Sequence, residues 1–355
     1  MLNGYQEDYR EYQDYRVMAE CGQEFEGLMP KLIEKLGGIG GNGKDVSLFA
    51  QGVGVTPMEV VDVDALVNGG STKPEPDIDK DSTAEEAKAI VDEKEGGDLV
   101  FAGLDDAEAQ KEVMDYISTK SFKNLTIEDV ELKQEEGKSI TLKADEEVVL
   151  DGITVCGEGS VTGTHGTILF VSDSLVLNDI TVDPESQAYN AFEGSQTVAF
   201  SNIEASNIQW DCIGTKHNII SVYKPAEGAK IVVKDSYFHL DVDNSNIVRL
   251  SNLDNVSNVE VVFENVDVDY DNDKVNSYAG FVIYQAFGSD EAYKTDGNLD
   301  PLKSWKFKFK NCKFNGEKVT EVNFGQLRQV AYGYDIRSIK TGTCDLATLC
   351  EFTFE

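Results

Sequence analysis

The chain has 355 residues, of which 41% are apolar, enough for a substantial core. Acidic residues outnumber basic ones 65 to 31, giving a formal charge of −34. That balance excludes nucleic acid and anionic membranes as expected partners, because either requires a basic patch to neutralise phosphates.

The amino-terminal stretch opens "MLNGYQEDYREYQDYR", with no basic region ahead of an apolar run, so no secretory signal is expected. No run approaches about 18 uninterrupted apolar residues, so no membrane-spanning helix is expected. The cysteines, Cys21, Cys156, Cys212, Cys312, Cys344 and Cys350, are scattered and contain no CxxC. They read as small buried apolar residues, with a Cys344–Cys350 bridge as the one pairing left open.

Residues 2–36 read as helical. Tyr5, Tyr9 and Tyr12 share one face, and Phe25, Leu28 and Leu32 form a second stripe that Pro30 interrupts. "GGIGGNG" (37–43) holds neither helix nor strand and detaches this segment from the rest of the chain. Tyrosine-rich helices anchor interfaces, so residues 1–43 are expected to serve attachment or oligomerisation, with those six side chains making the contacts. Residues 44–81 read as an extended linker closing on "STKPEPDIDKDS".

Two short helices are expected within 82–120. The first has Ser82 or Thr83 as N-cap and stops at Gly96–Gly97; the second opens at Asp105, with "DLVFAG" as a strand between them. Beyond residue 120 an octapeptide recurs: "LTIEDVEL" (125), "VVLDGITV" (148), "LVLNDITV" (175), "VAFSNIEA" (198), "IVVKDSYF" (231), "VVFENVDV" (261) and "FKFKNCKF" (307). Positions 1, 3 and 8 are apolar, and position 6 is apolar or small. Position 5 is Asp129, Gly152, Asp179, Asn202, Asp235, Asn265 and Asn311. Gly, Asn and Asp tolerate a left-handed backbone, so position 5 reads as a corner between two strands. Such a unit buries its apolar face only by stacking on the next.

The expected fold is therefore mainly β: a right-handed parallel β-helix over 121–355, with the helices of 82–120 as its cap. An antiparallel sandwich is the alternative, but of the NG and DG pairs only Gly152 falls inside a repeat, and there at the corner.

Chemistry is sparse. Asp77, Asp79 and Asp81, and again Asp269, Asp271 and Asp273, form D-x-D-x-D without the glycine and glutamate of a calcium loop. His165, His217 and His239 lack the companions of a zinc site, and His239 reads as a satisfied histidine near the coil wall. No nucleotide-binding loop is present. No catalytic, cofactor-binding or metal residue is assigned, and no cofactor is expected.

The tyrosine-rich opening, the "GGIGGNG" break and the repeated octapeptide together resemble the head-fibre proteins of crAss-like tailed bacteriophages. The resemblance implies a structural virion protein on the capsid exterior, made in the host cytoplasm. It further implies attachment to the capsid or another virion protein through the amino-terminal segment, homo-oligomerisation as a dimer or trimer, and contact with host surface glycans. The alternative is a polysaccharide-degrading β-helix enzyme, similar to pectate lyases or polygalacturonases, or a tail spike. "GTHG" (163–166) and "IRSIK" (336–340) echo two polygalacturonase motifs, but N-T-D is absent and Asp105–Asp106 precedes the repeat.

Overall fold

The structure, a computed structural model, describes residues 75–135, 138–157, 167–183, 190–212, 218–240, 246–251, 254, 256–270, 280–284, 300–320 and 350–355. The chain divides between Pro74 and Glu75, so the described residues all belong to the second unit. Tyr5, Tyr9, Tyr12, Phe25, Leu28 and Leu32 lie outside them, as do the glycine break and Cys344.

The unit is mainly β, a large parallel sheet with few helices. It opens with α1 (Ala84–Lys94). Thr83 accepts from the Glu86 amide, and the Glu86 carboxylate accepts from the Thr83 amide and hydroxyl, a reciprocal cap. Those bonds hold the Glu86 carboxyl below its ordinary range. Strand β1 (Asp98–Phe101) follows, then α2 (Ala107–Ile117), whose N-cap is Asp106 rather than Asp105. Lys88–Glu112 and Tyr116–Asp92 tie the helices together, and Val91, Val113 and Ile117 enter the same core as the strands.

The remaining strands form three parallel stacks that the chain visits in turn. The first contains β1, β2 (Phe122–Glu128), the end of β4 (Ser139–Asp151), β7 (Ser174–Asn178), β10 (Phe200–Ser206), the middle of β13 (Pro225–Leu240), the start of β15 (Glu260–Tyr270), β17 (Lys306–Lys310) and β20 (Glu351–Phe354). Its register runs through Leu99, Leu125, Val148, Leu175, Ile203, Ile231, Val261, Phe307 and Phe352. The second contains β3 (Glu131–Gln134), β5 (Thr154–Gly157), β8 (Thr181–Val182), β11 (Gln209–Cys212), the ends of β13 and β15, and β18 (Lys313–Phe314). The third contains the start of β4, β6 (Thr167–Val171), β9 (Asn190–Gly194), β12 (Asn218–Val222), β14 (Asn246–Leu250) and β16 (Gly280–Tyr284).

Between the first and second stacks the backbone turns left-handed at Asp129, Gly152, Asp179, Asn207, Asp235, Asn265 and Asn311, and Gly103 does the same between β1 and α2. Six of these are the corner positions read from the octapeptide. The corner amide donates to the carbonyl before the corner of the next rung: Asp129 to Asp151 at 2.9 Å, Gly152 to Asn178 at 3.0 Å, Asp179 to Ser206 at 3.2 Å. Corner side chains continue the ladder: Asn265 Nδ2 donates to Asp235 Oδ1 at 2.8 Å, and Asn311 Nδ2 to Asn265 Oδ1 at 2.9 Å. Gly152 leaves room for the Asp129 carboxylate. Its φ is +69°, and a Cβ there would stand 2.4 Å from Asp129 Oδ1.

The fourth copy is corrected. The expected "VAFSNIEA" gives way to "IEASNIQW", starting at Ile203, so the corner is Asn207 (φ +54°) and Val198 is 41% exposed. Two further rungs lie outside the seven copies, at Leu99 and Phe352. The expected linker also ends earlier: Ile78 is fully buried and bridges to Phe101, while Lys94 pairs with Asp77.

The interior carries Phe263 stacked on Phe309 (5.3 Å) and edge-on to Phe281 (5.2 Å), with Phe307–Phe352 and Phe309–Phe354 continuing the columns. Outside, Lys308 pairs with Glu260, Lys310 with Glu264 and Lys313 with Asp267 on one side; Lys306 pairs with Glu351 on the other. A basic strand between two acidic ones favours this order of neighbours, since each outward lysine meets carboxylates rather than like charge on the adjoining strands. Lys308 accordingly holds the Glu260 carboxyl below its ordinary range.

Candidate functional site

In the second stack, Leu132, Val155, Val182, Trp210, Phe238 and Val268 point inward and are buried. Alternation therefore sends the residues between them outward. Two outward columns result. One runs Thr154, Thr181, Gln209, Tyr237, Asp267, Lys313. In the other, Asp211, His239 and Asp269 occupy successive rungs.

His239 Nδ1 lies 2.8 Å from Asp211 Oδ1. The Tyr237 hydroxyl donates to Asp269 Oδ2 at 3.1 Å, and Lys313 Nζ donates to Asp267 Oδ2 at 2.8 Å. The Asp211 side chain is 64% exposed against 21% for His239, so the carboxylate is open to solvent while the imidazole lies against the wall. The row thus sets an imidazole between two carboxylates. Asp211 and Asp269 stand two strand spacings apart, about 9.5 Å. Such a row can accept hydrogen bonds from a hydroxyl-rich ligand.

The column begins differently. Cys156 Sγ lies 3.9 Å from Asp183 Oδ2. Burial, reinforced by the Glu131 and Asp183 carboxylates, pushes its thiol up to about 12. A raised thiol pKa favours the neutral form in the fold, so this stabilisation is present below the unfolded thiol pKa and lost as pH rises through about 12. At pH 8 we expect iodoacetamide to alkylate Cys156 in the folded chain tens-fold (~30-fold) more slowly than in denaturant, by site-resolved peptide mapping. Equal rates would refute the shift.

A cleft of about 520 Å³ lies between α2 and the strands β3 and β4. Gln110 Nε2 donates to the Glu131 carbonyl at 3.2 Å, and Ser118 Oγ accepts from the Thr141 amide at 3.3 Å, so α2 is latched at both ends. Met114, Leu132 and Ile140 contribute its apolar surface, and Lys111, Glu135 and Lys138 its rim. Lys138, together with Lys111, holds the Glu135 carboxyl below its ordinary range against the opposing effect of burial. The charges at the rim largely cancel one another.

The other residues singled out from sequence have structural work or fall outside the described residues. Asp77 accepts from the Val100 amide at 2.9 Å, and Asp79 accepts from the Asp81 amide at 3.0 Å in a turn. His165, His217, Asp271 and Asp273 lie outside, as does "IRSIK" (336–340). Among the described residues no group of three His, Cys, Asp or Glu side chains is placed to hold a metal ion, and no helix is long and apolar enough to cross a membrane.

Comparison with family models, with curated proteins and with solved structures finds no match to this chain. The sequence reading gave His239 a place at the coil wall but missed its row. The signal lay one position beyond the octapeptide, where Asp211, His239 and Asp269 align only after the fourth copy is moved to Ile203.

Proposed function

We propose that residues 75–355 form a right-handed parallel β-helix, capped by α1 and α2, and that the chain is a structural virion protein of the tailed-phage head-fibre kind. In this reading residues 1–74 attach it, as a homo-oligomer, to the capsid or another virion protein. The observation that carries the rod is the continuous parallel register from Leu99 to Phe352, with a left-handed residue at corner after corner. Stacked units of this kind bury their interior only against their neighbours, and eight strand spacings make a stub about 40 Å long. Outward ion pairs between rungs, such as Lys308–Glu260 and Lys313–Asp267, suit a solvent-facing surface along the stack. The virion assignment rests on the plan of the chain: tyrosine-rich opening, glycine break, then repeat.

The test is immunogold electron microscopy of purified particles with an antibody raised against residues 75–355. We expect label on intact heads, lost when residues 1–74 are deleted while the remaining chain stays folded and soluble. Label only on disrupted particles, or none at all, would remove the exterior-fibre reading.

A polysaccharide-cleaving activity is the second reading, favoured by the Asp211–His239–Asp269 row. Asp211 and Asp269 lie two strand spacings apart on one outward face, and glycoside hydrolysis needs such a pair of carboxylates on either side of the scissile bond. It requires release of reducing ends from an anionic polysaccharide, abolished by Asp211→Asn and by Asp269→Asn.

A further inference from the structure

The β18–β19 pair, with β19 at Glu317–Lys318, is the one antiparallel pairing among the described strands. Its two central residues are Asn315 (φ +48°) and Gly316 (φ +76°), both left-handed, as a two-residue hairpin of this type requires. The Asn315 backbone amide donates to the Val268 carbonyl at 2.8 Å. Its side chain does more. Oδ1 accepts from the Tyr270 amide at 2.7 Å, and Nδ2 donates to the Tyr270 carbonyl at 3.2 Å. The carboxamide thus pairs with the last residue of β15 as a strand backbone would, and holds the hairpin against it.

An asparagine followed by glycine is also the pair most open to internal attack on the side-chain amide, because glycine presents its nitrogen with no side chain in the way. A Cβ on Gly316 would meet nothing within 4 Å, so the approach to this turn is uncrowded. We propose that Asn315–Gly316 is a site of spontaneous amide-to-acid conversion, and that its clamp on Tyr270 sets the rate.

The Gly316 nitrogen attacks Asn315 Cγ, and a C–N bond forms. The Cγ–Nδ2 bond breaks, the displaced nitrogen takes up the proton lost by Gly316, and ammonia leaves. Water then opens the five-membered imide at either carbonyl, giving aspartate or its isomer. No oxidant or further reactant is needed. Attack requires Cγ to leave the Tyr270 backbone, so in the folded chain the reaction proceeds through opening of the hairpin. The product cannot restore what was lost. A carboxylate has no N–H for the Tyr270 carbonyl and places negative charge against that oxygen. Conversion therefore releases the hairpin from the end of β15 and leaves a permanent mark on chains that have opened there.

The experiment uses the full chain, incubated at mildly alkaline pH in buffer and, in parallel, in denaturant, with conversion at residue 315 read by peptide mapping and mass spectrometry. Two net hydrogen bonds make the folded-state rate on the order of 30-fold slower. Equal rates in the two conditions, or no conversion in denaturant, would overturn the proposal. A second measurement takes Asn315→Asp in the full chain and follows amide hydrogen exchange. The Asn315 and Val319 amides, bonded to the Val268 and Cys312 carbonyls, should exchange about tenfold faster than in the unaltered chain. Unchanged exchange would show that the clamp does not hold the hairpin.

Discussion

Phe263→Ala is expected to cost about 3–5 kcal/mol of stability, the range for emptying a large aromatic site in a core. Phe263 is fully buried and belongs to the first stack through β15, yet it packs edge-on against Phe281 of β16 in the third. It also stacks on Phe309 in the next rung at 5.3 Å. Removing the ring therefore opens a void between two stacks and between two rungs, where neighbouring backbones are pinned by ladder hydrogen bonds and cannot close in. Phe263→Leu retains much of the volume and should cost markedly less, roughly 1 kcal/mol. Urea titration of the three proteins gives the midpoints. Because a stacked array transmits loss to its nearest neighbours first, hydrogen exchange should rise earliest in β15, β16 and β17. A loss under about 1 kcal/mol for the alanine variant would show that this aromatic column is not part of a tightly packed interior.

The second expectation concerns register. Asn207→Val should destabilise by about 1–3 kcal/mol, because a β-branched residue is strained in the left-handed region. The change also removes the bond that Asn207 Nδ2 donates to Asn178 Oδ1 at 2.9 Å. Asn202→Val should be nearly neutral, within about 0.5 kcal/mol, because Asn202 lies in the extended strand β10, where valine fits. Thermal unfolding of the pair decides the matter. If Asn202→Val proves the costly change, the corner lies in "VAFSNIEA", and the stack from β7 to β13 must be redrawn.

The fourth copy shows why sequence alone stops short. Apolar residues at positions 1, 3, 6 and 8 almost repeat themselves under a shift of five: 1 becomes 6, and 3 becomes 8. Ile203 and Ala205 satisfy either frame, and both frames offer an asparagine for the corner, Asn202 or Asn207. Only the backbone conformation separates them, and that is set by which rung lies above and below. The third stack was illegible for a related reason. Its strands "NIISV" and "NIVRL" are buried along their whole length, so no alternation marks a face. Its buried polar residues, Ser221, Asn246 and Arg249, read in isolation as loop or surface. The row Asp211–His239–Asp269 was hidden similarly, because residues 28 and 30 apart become neighbours only through pairing.

What the sequence determined by itself was local. It set the inward positions and the left-handed corner of six octapeptides, and a helix start at Ser82 or Thr83. Each stems from the preferences of one short segment. Tertiary structure decided the frame of the fourth copy, the outer rungs at Leu99 and Phe352, the burial of Ile78, and which carboxylate meets His239. Those depend on hydrogen bonds between segments distant in the chain, where several pairings satisfy the same local pattern and only the stacked whole selects one.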